Sequence, residues 1–284
     1  MGPRDGRGYH PVSTLMQTIA LADPISVTAA WEYHLEMSMP QRDLASVSLS
    51  VSVEDNLVTK AYRWAKRRVP EIPAIHVRVI KRIPPGAGLG GGSADAAAIL
   101  RWAHRLFPQG FNLRETSSLG MDVPFLIDGG SAKATGYGQE LTPLDPLLGW
   151  HVIVASPPIA LSTAQVYQAF DEINPSALPA ASVEEVARDL SRGQLPFLFN
   201  ALEPAAWRVE PSLQAFKAEL TRETGKPWFL TGSGAAYFTL VRDPQEARAV
   251  KRRIWEQHLP LSRLEVAKFV GPTSPLGPQE FYRT

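Results

Sequence analysis

Residues 83–107 read IPPGAGLGGGSADAAAILRWAHRLF, and the fold turns on how this stretch is read. Five of the seven residues from Gly86 to Gly92 are glycine, and an alanine-rich apolar run follows. Glycine loses more conformational freedom on folding than any other residue, so such a density needs a reason. A phosphate is the natural one. Backbone N–H groups can close around it only where the chain is free to turn tightly.

GAGLGG matches G-x-G-x-x-G, and a strand-like segment precedes it. Two features count against a dinucleotide fold. Pro84 and Pro85 stand where a strand should run into a tight turn, and proline cannot donate to a ladder. The residues after the helix, PQGFNLRETSSL, contain no second strand ending in an acid. A Walker A loop fits less well, because Gly92 stands where its lysine belongs. A tightly packed helix start alone would require fewer glycines. The third reading is a loop whose backbone wraps a triphosphate, with a helix from Ala94 to Phe107 aiming its positive end at the charge. Ser93 would be the N-cap and could offer its hydroxyl to phosphate or to Mg²⁺.

Working outward, residues 12–30 predict two strands joined by a turn at Asp23-Pro24. SVSLSVSVEDN alternates Val47, Leu49, Val51 and Val53 with serines, which predicts a further strand. A helix is expected from Asn56 to Val69, stopped by Pro70 and Pro73, and a strand over IHVRVIKRI. A short helix around Leu113–Leu119 and extended pieces divided by glycines come next. HVIVASP reads as a strand and STAQVYQAFDEI as a helix. SVEEVARDLSRG carries a capping box, Ser182 with Glu185. Helices over PSLQAFKAELTRETG and DPQEARAVKRRIWEQH, two short strands in WFLTGSGAAYFTLV and a last strand in EVAKFVG complete the pattern. Strands and helices mix in both halves, which is an α+β order, with a boundary near Trp150. The domains expected are 1–149 and 150–284.

The 284 residues are 44% hydrophobic and 20% charged, with a net charge of +1. No bulk field draws nucleic acid or an acidic membrane, so neither is expected as a partner. The chain has no cysteine, which excludes disulfides, thiolate metal sites and thiol nucleophiles. The polar start MGPRDGRGYH has no signal-peptide core, and GWHVIVASPPIAL is too short to span a bilayer. A cytoplasmic protein is expected.

PPGAGLGGGSADAA resembles the central motif of the GHMP kinases. GYHPVSTLMQ at 8–17, EDNLV at 54–58, GMDVPF at 120–125, GGSAKATGYGQEL at 129–141, STAQVY at 162–167 and TGSGAAYF at 231–238 follow in order. They narrow the resemblance to the branch that phosphorylates the 2-hydroxyl of a cytidine-diphosphate-linked methylerythritol in the non-mevalonate route to isoprenoids. It covers nearly the whole chain. It implies an α+β two-domain fold, with a ribosomal-protein-like N-terminal domain and a ferredoxin-like C-terminal domain. It implies ATP and Mg²⁺, a small-molecule acceptor, and a monomer or weak homodimer.

By the same resemblance Asp122 would be the catalytic base. Pro85, Gly86, Ala87, Gly88, Leu89, Gly90, Gly91, Gly92 and Ser93 would hold the phosphates. Asn56 and Lys81 would border the adenosine. Tyr9 and His10 would meet one face of the cytosine and Tyr167 the other, and Thr163 would contact the methylerythritol hydroxyls. Gly232 and Gly234 would belong to a third motif closing near the substrate, or would serve only as a hairpin turn. The family's opening strand, roughly P-A-K-x-N, brings a catalytic lysine and a substrate-binding asparagine. No counterpart lies between Met1 and Gly8, and neither Lys81 nor Lys133 stands where it could replace that lysine. The expectation is therefore a start lying upstream, a shortened chain, or one that binds its ligands with little turnover. Another GHMP kinase would share the loop but not the cytosine clamp.

Overall fold

The computed structural model describes residues 1, 2, 4, 6, 10–39, 52–173 and 182–273. Its first half contains β1 (Thr14–Gln17), β2 (Ile25–Ala29), β3 (His34–Ser38), α1 (Leu57–Arg68), β4 (Ile75–Ile80) and α2 (Gly91–Leu106). A 3-10 turn (Leu113–Ser118), α3 (Val123–Asp128), β5 (Ser131–Thr135) and β6 (Glu140–Leu144) follow. The period of two in β4 decides the layering. Ile75, Val77 and Val79 are buried, while Arg78 and Ile80 face out. β4 is the centre of a sheet ordered β2-β4-β3, antiparallel to β2 and parallel to β3.

Asn56 starts α1 by accepting the Val58 N–H at 2.9 Å, and Lys66, Arg67 and Arg68 sit at its negative end. Its buried face, including Val58, Ala61, Trp64 and Ala65, meets Ala96, Ala97, Leu100 and Ala103 of α2 in one core. The alanines explain why a helix of low apolar bulk can lie close to its neighbour.

The second half contains β7 (His151–Ser156), α4 (Thr163–Ile173), α5 (Val183–Ser191), α6 (Glu203–Val209), α7 (Ser212–Thr224), β8 (Phe229–Leu230), β9 (Tyr237–Val241), α8 (Pro244–Glu256) and β10 (Arg263–Lys268). Its sheet runs β10-β7-β9-β8, all antiparallel. β7 is buried from Val152 to Ser156, a continuous run because helices and the seam cover both faces. The third sheet, β1-β5-β6, borders that seam. There Leu15 and Ile19 pack with Trp150, Val152, Leu240 and Phe269. Trp150, at the expected boundary, is 2% exposed and donates its indole N–H to Leu190 O at 2.9 Å.

Several expectations change. β1 and β2 both form, but they join different sheets instead of pairing. Asp23 is no hairpin turn: its carboxylate accepts the backbone N–H groups of Arg82 and Ile83, which carries the chain to the end of β4. α2 begins at Gly91, three residues before Ala94, because Gly90 takes the left-handed conformation (φ 68°) and acts as N-cap. Ser93 is therefore inside the first turn and caps nothing. β3, α3 and α6 are additions; the last two are single short helices with proline at their starts. The alternating stretch from Val47 to Val51 lies outside the described residues, while Ser52–Asp55 form a turn. No helix among the described residues is long and apolar enough to cross a membrane.

The capping box at α5 forms in full. Ser182 Oγ accepts the Glu185 N–H at 3.2 Å, and Glu185 Oε2 accepts the Ser182 N–H at 2.8 Å. Ser182→Ala should cost about 0.5–2 kcal/mol, read as a lower urea midpoint at unchanged slope.

Candidate active site

The glycine loop leaves β4 through Pro84 and Pro85 and does not stand alone. Gly86 O accepts the Ala235 N–H at 3.2 Å, and Ala87 O accepts the Ala236 N–H at 3.1 Å. Thr231 Oγ1 donates to Gly88 O at 3.0 Å. The TGSGAA turn of the second half is thus laid directly on the loop. The approach is closest at Gly88, where an added Cβ would fall 2.2 Å from Thr231 O and 2.9 Å from both Gly234 N and Gly234 O. Gly232 and Gly234 form the turn between β8 and β9, as the hairpin reading expects, and the turn lies against the glycine loop. Asn200 fixes the turn by donating its amide to Leu230 O at 2.9 Å and Gly232 O at 2.8 Å.

Gly86, Gly88 and Gly90 all have positive φ. Past Gly90, α2 has no side chain capping its first turn. The first backbone N–H groups of a 16-residue helix therefore point out of the loop with the positive end of the helix dipole. This donor set fits a phosphate. Asp122 lies over the same end: its Oδ2 would be 3.9 Å from a Cβ built on Gly90. It precedes α3 and makes no capping bond, so the carboxylate is not used by its own helix. It reaches solvent on one side, yet the surrounding protein raises its carboxyl above the usual aspartate range. Tyr167 on α4 faces it. Burial raises the Tyr167 hydroxyl, and the Asp122 charge raises it further.

Ser93 Oγ would be 3.6 Å from a Cβ on Gly120, which places it beside the GMD segment. Among the described residues no group of three or more His, Asp or Glu could hold a metal. The Ser93 hydroxyl is an oxygen of the kind Mg²⁺ accepts when phosphates and water supply the rest. Beyond Gly92, Leu57 leads to a cavity of about 460 Å³ lined by Lys60, Arg63, Trp64, Arg67 and Leu119.

Two expected nucleotide contacts are differently employed. Lys81 is 4% exposed, and its ammonium is held by Asp23 and, at 2.8 Å, by Asp95 Oδ2. It has no charge to offer the adenosine. Asn56 uses its oxygen on Val58 and directs its amide to Met37 Sδ at 2.9 Å.

At the other rim, Thr163 Oγ1 lies 2.9 Å from Ser233 Oγ, tying the start of α4 to the glycine turn. His10 is buried against α4. Its Nδ1 is 3.0 Å from Gly2 O, its Nε2 is 2.8 Å from Asp171 Oδ1, and its ring meets Phe170 edge-on. The His10 and Tyr167 centroids are 5.8 Å apart, a spacing of rings in direct contact. These two rings touch, so His10 does not stand across a base from Tyr167. Tyr9 lies outside the described residues.

The GHMP kinases N terminal domain family matches residues 56–130, and GHMP kinases C terminal matches 176–261. The 4-diphosphocytidyl-2-C-methyl-D-erythritol kinase of Moorella thermoacetica is 34% identical over 268 residues, covering 90% of each chain. That of Desulfitobacterium hafniense is 34% identical over 257 residues, 88% of this chain and 85% of the relative. A crystal structure of 4-(cytidine 5'-diphospho)-2C-methyl-D-erythritol kinase superposes with a TM-score of 0.76 at 30% identity, over 95% and 94% of the two chains. The chain belongs to the 4-diphosphocytidyl-2-C-methyl-D-erythritol kinase family, within the GHMP kinases. Homoserine kinase from Cytophaga hutchinsonii, at 16% identity and a TM-score of 0.62 over 91% and 90% of the chains, shares the fold. The α+β GHMP kinase fold expected from the motifs is the fold observed.

Within this kinase fold, Asp23, Asp95, Asn200 and Thr231 escaped the sequence reading. Asp95 alone left a trace, as the one acid on an alanine-rich buried helix face.

Gly88→Ala should destabilise the kinase fold by about 2–5 kcal/mol, from left-handed strain plus a clash with backbone that cannot yield. Gly225→Ala is the control: φ is +65° there, but a Cβ meets nothing within 4 Å. It should cost only the strain, about 1–2 kcal/mol. Urea unfolding of both variants checks the difference.

A pH effect follows from Asp95. Burial pushes its carboxyl up to about 7, against the downward pull of Lys81. In the unfolded chain it titrates near 4, at about 3.9. Between these values the folded chain holds a proton the unfolded chain releases, so stability falls as pH rises through that window. Asp95→Asn should flatten the slope in urea titrations spanning about pH 4 to 7.

Proposed function

We propose that this chain transfers the γ-phosphoryl group of ATP to the 2-hydroxyl of 4-diphosphocytidyl-2-C-methyl-D-erythritol, in the non-mevalonate supply of isoprenoid precursors. One observation carries the reading. The Asp122 carboxylate, otherwise unused, lies over the uncapped start of α2 at the end of the glycine loop.

The loop from Pro85 to Ser93 holds the triphosphate through backbone N–H groups, and the α2 dipole favours its charge. Asp122 accepts the acceptor's proton as the new O–P bond forms and the bond to the β-phosphate oxygen breaks, leaving ADP. A raised carboxyl brings its basicity nearer to neutral pH, which suits that role. Ser93 is the side chain that would help hold Mg²⁺, which would supply charge neutralisation at the phosphates.

Thr163, held at the rim by Ser233, takes the methylerythritol hydroxyls. Tyr167 is the ring on α4 offered to the cytosine, and Tyr9 is a second contact to it. His10, packed behind Tyr167, orients that ring instead of stacking on the base. Asn56, at the start of α1, borders the adenosine, the Lys81 side chain acts from beneath the loop, and the cavity beside Leu57 gives the nucleoside room. We place the reaction in the cytoplasm and the working form as a monomer or weak homodimer.

Turnover with ATP and the cytidine-diphosphate substrate tests this. Asp122→Asn should lower kcat by about 10²–10⁴ with little change in melting temperature, since the side chain makes no bond to its own helix and reaches solvent. The unmodified enzyme should lose activity as pH falls through a value above the ordinary aspartate pKa of about 3.9. An Asp122→Asn enzyme within about threefold of the original, well short of the usual general-base effect, would refute the mechanism. Preferential turnover of galactose, homoserine or mevalonate would refute the acceptor.

A further inference from the structure

The loop's shape must be held before a phosphate arrives, and the structure shows what holds its stems. Three ionisable side chains, Lys81, Asp23 and Asp95, are 5%, 1% and 4% exposed and touch one another. Asp23 arrives from the β1–β2 connection. Its Oδ1 accepts the backbone N–H of Ile83 at 2.8 Å and that of Arg82, so it fixes the segment entering the loop. Its Oδ2 accepts from Lys81 Nζ. The same ammonium donates to Asp95 Oδ2 at 2.8 Å, one turn into α2, and so fixes the segment leaving the loop. Lys81 Nζ also lies 3.5 Å from where a Cβ on Gly91 would project, directly beneath the first residue of the helix.

We propose that Lys81, Asp23 and Asp95 form a buried ionic clip that sets the separation of the loop's two stems, and so positions its backbone N–H groups for the nucleotide. These are positioning residues: none faces the cleft. Buried ion clusters add little net stability, because desolvation offsets attraction, but they are demanding about geometry. Three buried ionisable groups that must meet within hydrogen-bond distance allow one arrangement of Ile83, Gly91 and Asp95. An apolar core of the same volume would tolerate several. The clip rests on the reading of the loop as the nucleotide site, which would otherwise have nothing to position.

The test uses the full chain and ADP as the probe. ADP dissociation constants are measured by calorimetry, with KM for ATP, KM for the cytidine-diphosphate substrate, and melting temperature for each variant. Asp95→Ala should weaken ADP and raise the KM for ATP by about tenfold or more, the scale of sub-ångström misplacement. The KM for the other substrate should stay within about twofold, since its contacts lie on α4 and the glycine turn. Asp95→Asn keeps an acceptor for the Lys81 ammonium and should recover most of the affinity. Lys81→Met should behave as Asp95→Ala does. If it does not fold, Lys81→Met combined with Asp95→Leu removes the unpaired carboxylate, and ADP weakened in that variant supports the clip. ADP affinity equal to the original in Asp95→Ala or in the double variant, with only the melting temperature lowered, overturns it. A parallel rise in both KM values overturns it too, since general loosening predicts that. If the unmodified chain binds no ADP, the nucleotide reading falls and the clip with it. If it binds ADP and the variants match it, the clip alone falls.

Discussion

Backbone meets backbone at Gly88, and the rest of the site follows from that contact. Thr231 O and the Gly234 peptide occupy the space a side chain at 88 would need. The first half's loop and the second half's turn therefore become one surface, crossed by hydrogen bonds from Thr231, Ala235 and Ala236. Everything with chemistry stands around this surface. Asp122 comes in on α3 from one side, Tyr167 and Thr163 on α4 from the other, and α2 closes the floor. At 88 glycine serves twice: it takes the positive φ, and it leaves room for the Thr231 and Gly234 backbone where a Cβ would fall.

Around that surface the electrostatics divide into two zones. Under the loop, Lys81 is flanked by two carboxylates and its charge is consumed internally. Above it, the Asp122 carboxylate has no cationic partner among the described residues, and the surrounding protein raises its carboxyl. With its ammonium held beneath the loop, Lys81 does not pair with Asp122, and the Asp122 carboxyl stays raised.

The sequence disclosed the parts that depend on local rules. Asn56 as a cap, the box of Ser182 and Glu185, Gly225 at a left-handed helix end and the alternation in β4 are each written within a few residues, and each forms. The loop was legible because five glycines have few other uses. What stayed hidden depends on residues far apart in the chain. Asp23-Pro24 has the composition of a turn, but partners near residue 82, out of sight of local pattern, recruit its carboxylate. Ser93 has the chemistry of a cap, yet Gly90 can turn left-handed and starts the helix earlier. His10 and Tyr167 were read as two faces of a slot. Their contact depends on how α4 seats against the residues around Pro11, which no spacing encodes. Asn200 stands in LPFLFNALEP with nothing nearby to mark it, and only its two bonds to the 230–232 backbone reveal its place.

The uncapped start of α2 has an effect reaching beyond the nucleotide. A helix end with glycine at the cap and no side-chain acceptor attracts any small oxyanion, because its donors recognise charge and size before identity. The glycine cap thus leaves the first N–H groups of the helix without a side-chain acceptor, so that recognition there is by charge and size.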